Sequence, residues 1–407
     1  MDIIQNLAKS KLTPFKAALG VFIYKFILLR ERETYRYSRL QNRILYRGFF
    51  NAYFRKRRSA FMTLLVPGEI FAALGIAPLI VESLGGVLGS LGLTERFLHT
   101  VAEAGLPESL CTFHRMHLAF ALEGGFSSPR YTVAASALCD GNMRALQRLS
   151  EKTGSRFFFL DFPHPEQDGA VEYLAGQLKS TYLEMASDLG VSRPLERLKE
   201  AVFRSEEARK WINAVNEIRK THYLPDNHRL IWLLTILTGF TGTREAIECF
   251  KTLYEELRNR GKPIPPEKKR LLLIHLLPLY PHPGFEMLFK RDVVIAVEEF
   301  TRIRWPRLEP EDPFRSIALK ALSWPIMGSP DVRIRFLNRL IEEYSIDGVL
   351  FNSHWGCRHS DGAINAIKSH LKRPLLRLEM DLVDGNSSFS GQLMTRIESF
   401  LEMIGAS

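Results

Sequence analysis

The sequence predicts an α/β protein with two parallel-sheet domains, a helical insert and a basic helical extension at the N-terminus. Three observations carry that expectation. Apolar runs of strand length repeatedly end in a polar turn that opens a segment of helical period, the pattern of parallel strand–helix units. These units fall into two groups, one before residue 166 and one after residue 266. Between them, residues 166–260 keep a helical period and are rich in Leu, Ala, Glu, Lys and Arg. A chain of 407 residues has room for two or three domains, and the working division is 1–58, 59–185, 186–262 and 263–407.

The extension holds almost all of the charge imbalance. Residues 1–60 carry 14 Lys and Arg against Asp2, Glu31 and Glu33, whereas the remainder has 41 basic and 42 acidic groups. The body therefore has no nucleic-acid footprint, and no nucleic-acid partner is expected. Asp2 precedes any basic cluster and no small-residue cleavage site follows, so the start does not read as a secretory signal. "FKAALGVFIYKFILL" (15–29) is interrupted by Lys16 and Lys25 and falls short of a membrane span. With the interleaved Arg and aromatic residues of 30–58, it offers contact to an anionic membrane or an acidic partner. The plainer reading is an aromatic stripe packed on the body with its Arg and Lys solvated.

Along the body, an apolar run at 61–66 leads through Pro67-Gly68 into a helix and a second run at 77–81. "GGVLGSLGL" (85–93) is Gly-rich but too irregular to cradle a phosphate. A helix over 112–124 follows Cys111. "YTVAASALCDGNMRALQRL" reads as strand, turn at Asp140-Gly141, and helix; "RFFFLDFPHP" repeats the shape up to Asp161. After "GKPIPP" (261–266) come the strand runs "RLLLIHLLPLY", "DVVIAVEEF", "GVLFNS" and "PLLRLEMDL", and then a last helix, "GQLMTRIESFLEMI".

Only four cysteines occur, Cys111, Cys139, Cys249 and Cys357, and none forms a CxxC pair. That excludes zinc-ribbon spacing and a disulfide scaffold, and fits a reducing cytoplasm. Cys357, in "HWGCRH" with His354 and His359, reads as a nucleophile, a metal ligand or a buried thiol. Cys249 lies inside a helical pattern as a small hydrophobe. Cys139 and Cys357 stand where a strand gives way to a turn, the end at which open parallel sheets bind ligands. Cys111 stands at a helix start. Three such thiols suit an iron–sulfur cluster in a cleft between the domains, or are three isolated thiols; the residues alone leave both open.

Several blocks, taken in order, resemble one family. "VPGEIFAALGIAPL", "CTFHRMHLAFALEG", "LCDGNMRALQRL", "FFFLDFPHP" and "DGVLFNSHWGCRHSDGAINAIKSHL", the last followed by "PLLRLEMDLVD" and "TRIESFLEMI", are similar to the 2-hydroxyacyl-CoA dehydratase / benzoyl-CoA reductase subunits, 2-hydroxyglutaryl-CoA dehydratase D-component-like. The similarity runs from about residue 59 to the C-terminus and is weakest over 186–262. It implies two flavodoxin/Rossmann-like domains around a [4Fe–4S] cluster, with Cys111, Cys139 and Cys357 as ligands and Cys249 outside the set. It implies a homologous second subunit, an ATP-dependent iron–sulfur activator protein and an acyl-CoA substrate. The implied activity is a hydro-lyase reaction. One low-potential electron makes a ketyl radical at the thioester carbonyl, and water is lost from a 2-hydroxyacyl-CoA.

Glu69, inside the first block, and His354, beside Cys357, are the candidate proton-transfer residues, with His359 behind them. Asp140, Asp161 and Asp384 read as caps or turn residues. The chain departs from the family at Leu64 and Leu65, where a Ser or Thr is frequent, and at Phe300, where Cys-Gly-Arg is frequent. These departures suggest an unusual substrate or a benzoyl-CoA-type reductase component. They equally suit a cluster-bearing electron-relay or scaffold subunit without chemistry of its own. A Cys357–His nucleophile enzyme is the third reading, and it leaves Cys111 and Cys139 without a role.

Overall fold

The computed structural model describes residues 13, 15–17, 19–20, 35–225, 233–302, 305–387 and 390–406. Most of the expected extension before residue 35, including 21–29, lies outside the described residues. Its described helix, α1 (Arg36–Phe54), packs on the body as the plainer reading has it. Tyr37, Ile44, Phe49 and Ala52 are buried, while Arg36, Arg39, Arg43 and Arg47 face solvent. The free N–H groups of Arg36 and Tyr37 donate to the Glu256 carboxylate at 2.6 and 3.0 Å, meeting the need of a helix N-terminus for acceptors and negative charge. Gly48 lets α1 press against the following sheet: a Cβ there would stand 2.6 Å from the Pro78 carbonyl oxygen.

The first α/β unit comprises β1 (Ser59–Met62), α2 (Gly68–Leu74), β2 (Ala77–Ile80), α3 (Val81–Ser90), α4 (Thr94–Glu103), α5 (Thr112–Leu122), β3 (Tyr131–Ala135), α6 (Asp140–Thr153) and β4 (Arg156–Leu160). The Gly-rich stretch thus forms most of a helix, α3. The insert follows as α7 (Ala170–Asp188), α8 (Pro194–Ile218), β5 (His222–Tyr223), α9 (Leu233–Gly239), α10 (Arg244–Arg260) and β6 (Lys262–Pro263). The second unit is β7 (Lys269–Ile274), α11 (Pro283–Lys290), β8 (Val293–Glu298), α12 (Pro313–Leu322), α13 (Pro330–Glu343), β9 (Gly348–His354), α14 (Arg358–Asp361), α15 (Ile364–His370), β10 (Leu375–Met380) and α16 (Ser390–Ile404). Two of the working boundaries cut elements: 185 falls inside α7 and 262 inside β6.

Both four-stranded sheets are parallel throughout, as predicted. Their orders are β2-β1-β3-β4 and β10-β9-β7-β8. Numbered from its own first strand, the first sheet reads 2-1-3-4, the start of the flavodoxin-like order, and the second reads 4-3-1-2, the same order from the other edge. Each therefore has a switch point between its first and third strands. The chain thus has two equivalent crevices at strand C-termini, one beyond β1 and β3 and one beyond β7 and β9.

Alternation along the strands explains why the two units are not separable bodies. In β1, Ala60 and Met62 face a core shared with α7–α10 and α12, while Phe61 faces the opposite side. In β7, Leu271 and Leu273 join the Phe61 core, while Leu272 and Ile274 face a third cluster. One hydrophobic core therefore contains the inner faces of both sheets, and the insert shares its core with the first. Burying each such Leu or Phe contributes roughly 1.5–3 kcal/mol, so the two crevices are held in fixed register by the packing itself.

Candidate active site between the two sheets

The three turn cysteines converge at the switch points. Each is the residue that opens a helix: Cys111 precedes α5, Cys139 precedes α6 and Cys357 precedes α14. The backbone N–H of Phe113 favours the thiolate of Cys111, those of Asn142 and Gly141 that of Cys139, and that of Ser360 that of Cys357. Cys139 follows the third strand of the first sheet and Cys357 the third strand of the second, so the two units deliver their thiols from matching places. Gly356 makes the join. It holds φ +80°, and a Cβ there would stand 2.9 Å from the backbone nitrogen of Cys111, so the second unit's turn closes on the first only with glycine. Cys249 is fully buried in α10, away from the other three.

Histidine completes the thiol environment. His354 Nε2 lies 3.2 Å from Cys111 Sγ, and its Nδ1 accepts the Leu382 N–H at 3.1 Å. Burial holds His354 below its ordinary pKa, so the ring is neutral; with Nδ1 accepting, the proton sits on Nε2 and is donated to the sulfur. His114 Nε2 stands 3.5 Å from Cys139 Sγ. The remaining histidine of the "HWGCRH" turn, His359, is engaged with the Ile326 carbonyl at 2.7 Å. Neither histidine of that turn therefore serves Cys357 as a base. Burial also pushes the Cys357 thiol up to about 11, the opposite of an activated nucleophile. The Cys–His nucleophile reading has no geometry behind it.

The cysteines line an apolar cavity of ≈ 150 Å³ on one side and, through Cys111 and Cys139, a cleft of ≈ 480 Å³ on the other. Leu64, Ile80, Leu138, Leu276, Phe300 and Ile326 form most of the cavity's apolar wall. Leu64 and Phe300, two of the departures noted in the sequence, are thus wall residues.

Glu69 is not among the lining residues. Its carboxylate lies fully buried, bonded to Lys320, to Ser205 at 2.5 Å and to Thr241 at 3.0 Å. Although burial alone would raise its pKa, Lys320 holds it below the ordinary value. The carboxyl on the cavity is instead Glu82, which the sequence reading did not single out. Its Oε1 accepts from Leu64 N–H at 3.1 Å and Asn142 Nδ2 at 2.8 Å, and its buried Oε2 has no partner. Without a counter-charge, burial pushes Glu82 up to about 7. His275 was also missed. It ends β7 at the second switch point with φ 69°, lines the cavity, and leaves Nδ1 buried and unpartnered. The signal for both was positional, since each follows a strand C-terminus. Among the described residues, no three His, Cys, Asp or Glu side chains gather tightly enough for a single metal ion.

The chain matches the family model described as 2-hydroxyglutaryl-CoA dehydratase, D-component, over residues 63–404. The chain belongs to this family. The match to the dehydratase D-component model covers both sheets, the insert and all three turn cysteines, and begins after α1. Among similar proteins is a benzoyl-CoA reductase subunit of Thauera aromatica, 22% identical over 338 residues, which are 74% of this chain and 78% of that one. Another is the putative dehydratase subunit YjiM of Escherichia coli (strain K12), 30% identical over 102 residues, 24% of this chain and 26% of that one. Both are named as subunits. Among the described residues of this dehydratase-family chain, no helix is long and apolar enough to cross a membrane.

Proposed function

We propose that this chain is the iron–sulfur subunit of a cytoplasmic enzyme that removes water from a 2-hydroxyacyl-CoA, with Cys111, Cys139 and Cys357 holding a [4Fe–4S] cluster. The observation that carries the reading is the convergence of three helix-opening thiols, drawn from both units, on an apolar cavity with one unpaired carboxyl. Thiols are the donors such clusters take, and the helix N-termini and the His354 N–H favour the charge those sulfurs would carry. When bound, the cluster would supply a low-potential electron and an iron open to a carbonyl oxygen.

The protein's own groups supply the rest. Because Glu82 Oε1 is taken up by two donors, the neutral acid carries its proton on Oε2, at the cavity, where it can be given to or taken from a substrate atom near neutral pH. This role, expected of Glu69, passes to Glu82, while Glu69 with Lys320 braces α2 against α12. His354 orients and stabilises the Cys111 sulfur, and the apolar wall excludes water from the reacting carbons. A homologous second subunit and an ATP-dependent iron–sulfur activator are the proposed partners, in keeping with relatives named as subunits.

A second reading, a cluster-bearing relay subunit or a benzoyl-CoA-type reductase component, is favoured by Leu64 and Phe300 in the wall where other family members carry polar residues. Anaerobic turnover of a panel of 2-hydroxyacyl-CoAs and benzoyl-CoA, with activator and ATP, separates the two. The dehydratase reading expects a 2-enoyl-CoA product that falls about 10²–10⁴-fold in Glu82→Gln at unchanged iron content. Ring reduction, or no turnover by an iron-replete protein, would favour the second reading.

A further inference from the structure

We infer that the acyl group received by the cavity is uncharged and apolar, of the size of one ring or a short branched chain, and that acyl groups with a second carboxylate are excluded. The inference rests on the reading above that the site takes CoA thioesters. At ≈ 150 Å³ the cavity is about the size of an engineered protein cavity that admits one benzene molecule. Ile80, Leu276, Leu279, Phe300 and Ile326 offer such a group only hydrocarbon. The Phe300 ring packs edge-on to His275 at 5.6 Å between centroids, which makes that side of the wall stiff.

Charge decides the class more sharply than size. Among the described residues lining the cavity there is no Lys or Arg. Two guanidinium groups act electrostatically on the site, and both are bonded elsewhere. Arg333 makes a fork to Glu299 at 2.7 and 2.9 Å, and Arg115 donates to Thr112 Oγ1 at 2.8 Å. Burial keeps His114, His275, His354 and His359 neutral. The cavity's one carboxyl, Glu82, would repel a second acid group. A carboxylate brought here would lose its hydration with nothing to replace it. The 2-hydroxyglutaryl group in the family's name is a dicarboxylic acyl group, so this chain's wall selects against it.

The test is equilibrium binding of unreactive thioesters to the full chain purified without oxygen. The probes are 4-methylpentanoyl-CoA, benzoyl-CoA and glutaryl-CoA, with free CoA as competitor. The first two are expected to bind at least about tenfold more tightly than glutaryl-CoA, the least that one unpaired buried charge would give. Phe300→Arg or Ile326→Lys, each placing a cation in the wall, should narrow or reverse that order; the wild-type ranking stands by itself should neither variant fold. Glutaryl-CoA binding as tightly as 4-methylpentanoyl-CoA would overturn the inference while leaving the thioester reading intact. No binding of any thioester, and no competition by CoA, would overturn the thioester reading and the inference with it.

Discussion

Glu69 and Glu82 stand on either side of β2, both fully buried, and they are held in opposite states. Lys320 meets Glu69 and keeps it a carboxylate; Glu82 meets only two neutral donors and is pushed up to about 7. The same contrast separates two regions of the molecule. The scaffold around the site matches buried charge with buried charge: Lys320 with Glu69, Arg219 with Glu298, and Arg333 with Glu299. The cavity leaves polar atoms open, among them Glu82 Oε2 and His275 Nδ1. Burial alone therefore does not mark a reactive group. Burial without a partner, at a strand C-terminus, does.

The contrast can be broken from the scaffold side first. Lys320→Met leaves Glu69 charged, buried and alone, and should cost about 3–5 kcal/mol of unfolding free energy. Adding Glu69→Gln should recover most of it, read by denaturant unfolding of the single and double variants. Loss in the single variant comparable to a surface substitution would remove the scaffold role from this pair.

On the cavity side, Glu82→Gln should stabilise rather than harm, and in a pH-dependent way. Folded Glu82 keeps its proton up to about 7, whereas the unfolded chain releases it near 4.5, so between those values the folded state binds more protons. Its contribution to stability is thus present below pH 4.5, falls as pH rises through the window and is flat above about 7, a change of up to about 3 kcal/mol. Unfolding free energies at about pH 5 and pH 7.5 should show the wild type losing stability relative to Glu82→Gln. Parallel pH profiles would show that Glu82 has a partner after all.

The junction between the units comes next. Gly356→Ala forces both a strained φ and a clash with Cys111, costing about 1–3 kcal/mol and exposing the thiols to faster modification by a thiol reagent. The smallest effect belongs to His354→Ala, which removes an N–H donor to Cys111 and should shift the midpoint potential of the reconstituted cluster to a more negative value. An unchanged potential would reduce His354 to a packing residue.

How far the sequence foretold this site follows from the range of the forces involved. Strand–turn–helix alternation is local, so both sheets and the placement of Cys139 and Cys357 at strand ends were legible, as was Cys249 on the buried face of a helix. The choice between the two glutamates was not. Glu69 carries the motif, but its partner Lys320 lies far along the chain on α12, and nothing near Glu82 announces that it lacks one. His354 was singled out for its closeness in sequence to Cys357, yet it bonds to Cys111 from the other unit. The domain division failed at its edges because the hydrophobic cores run across the proposed boundaries.

The central claim is that thiols from both units hold one cluster. Anaerobic purification with iron and sulfide analysis of the wild type and of Cys111→Ala, Cys139→Ala, Cys357→Ala and Cys249→Ala tests it most directly. The account predicts about four irons and four sulfides per chain, kept in Cys249→Ala and lost in each of the other three. An iron-free wild type, or a cluster that survives removal of any one of the three turn cysteines, would contradict it.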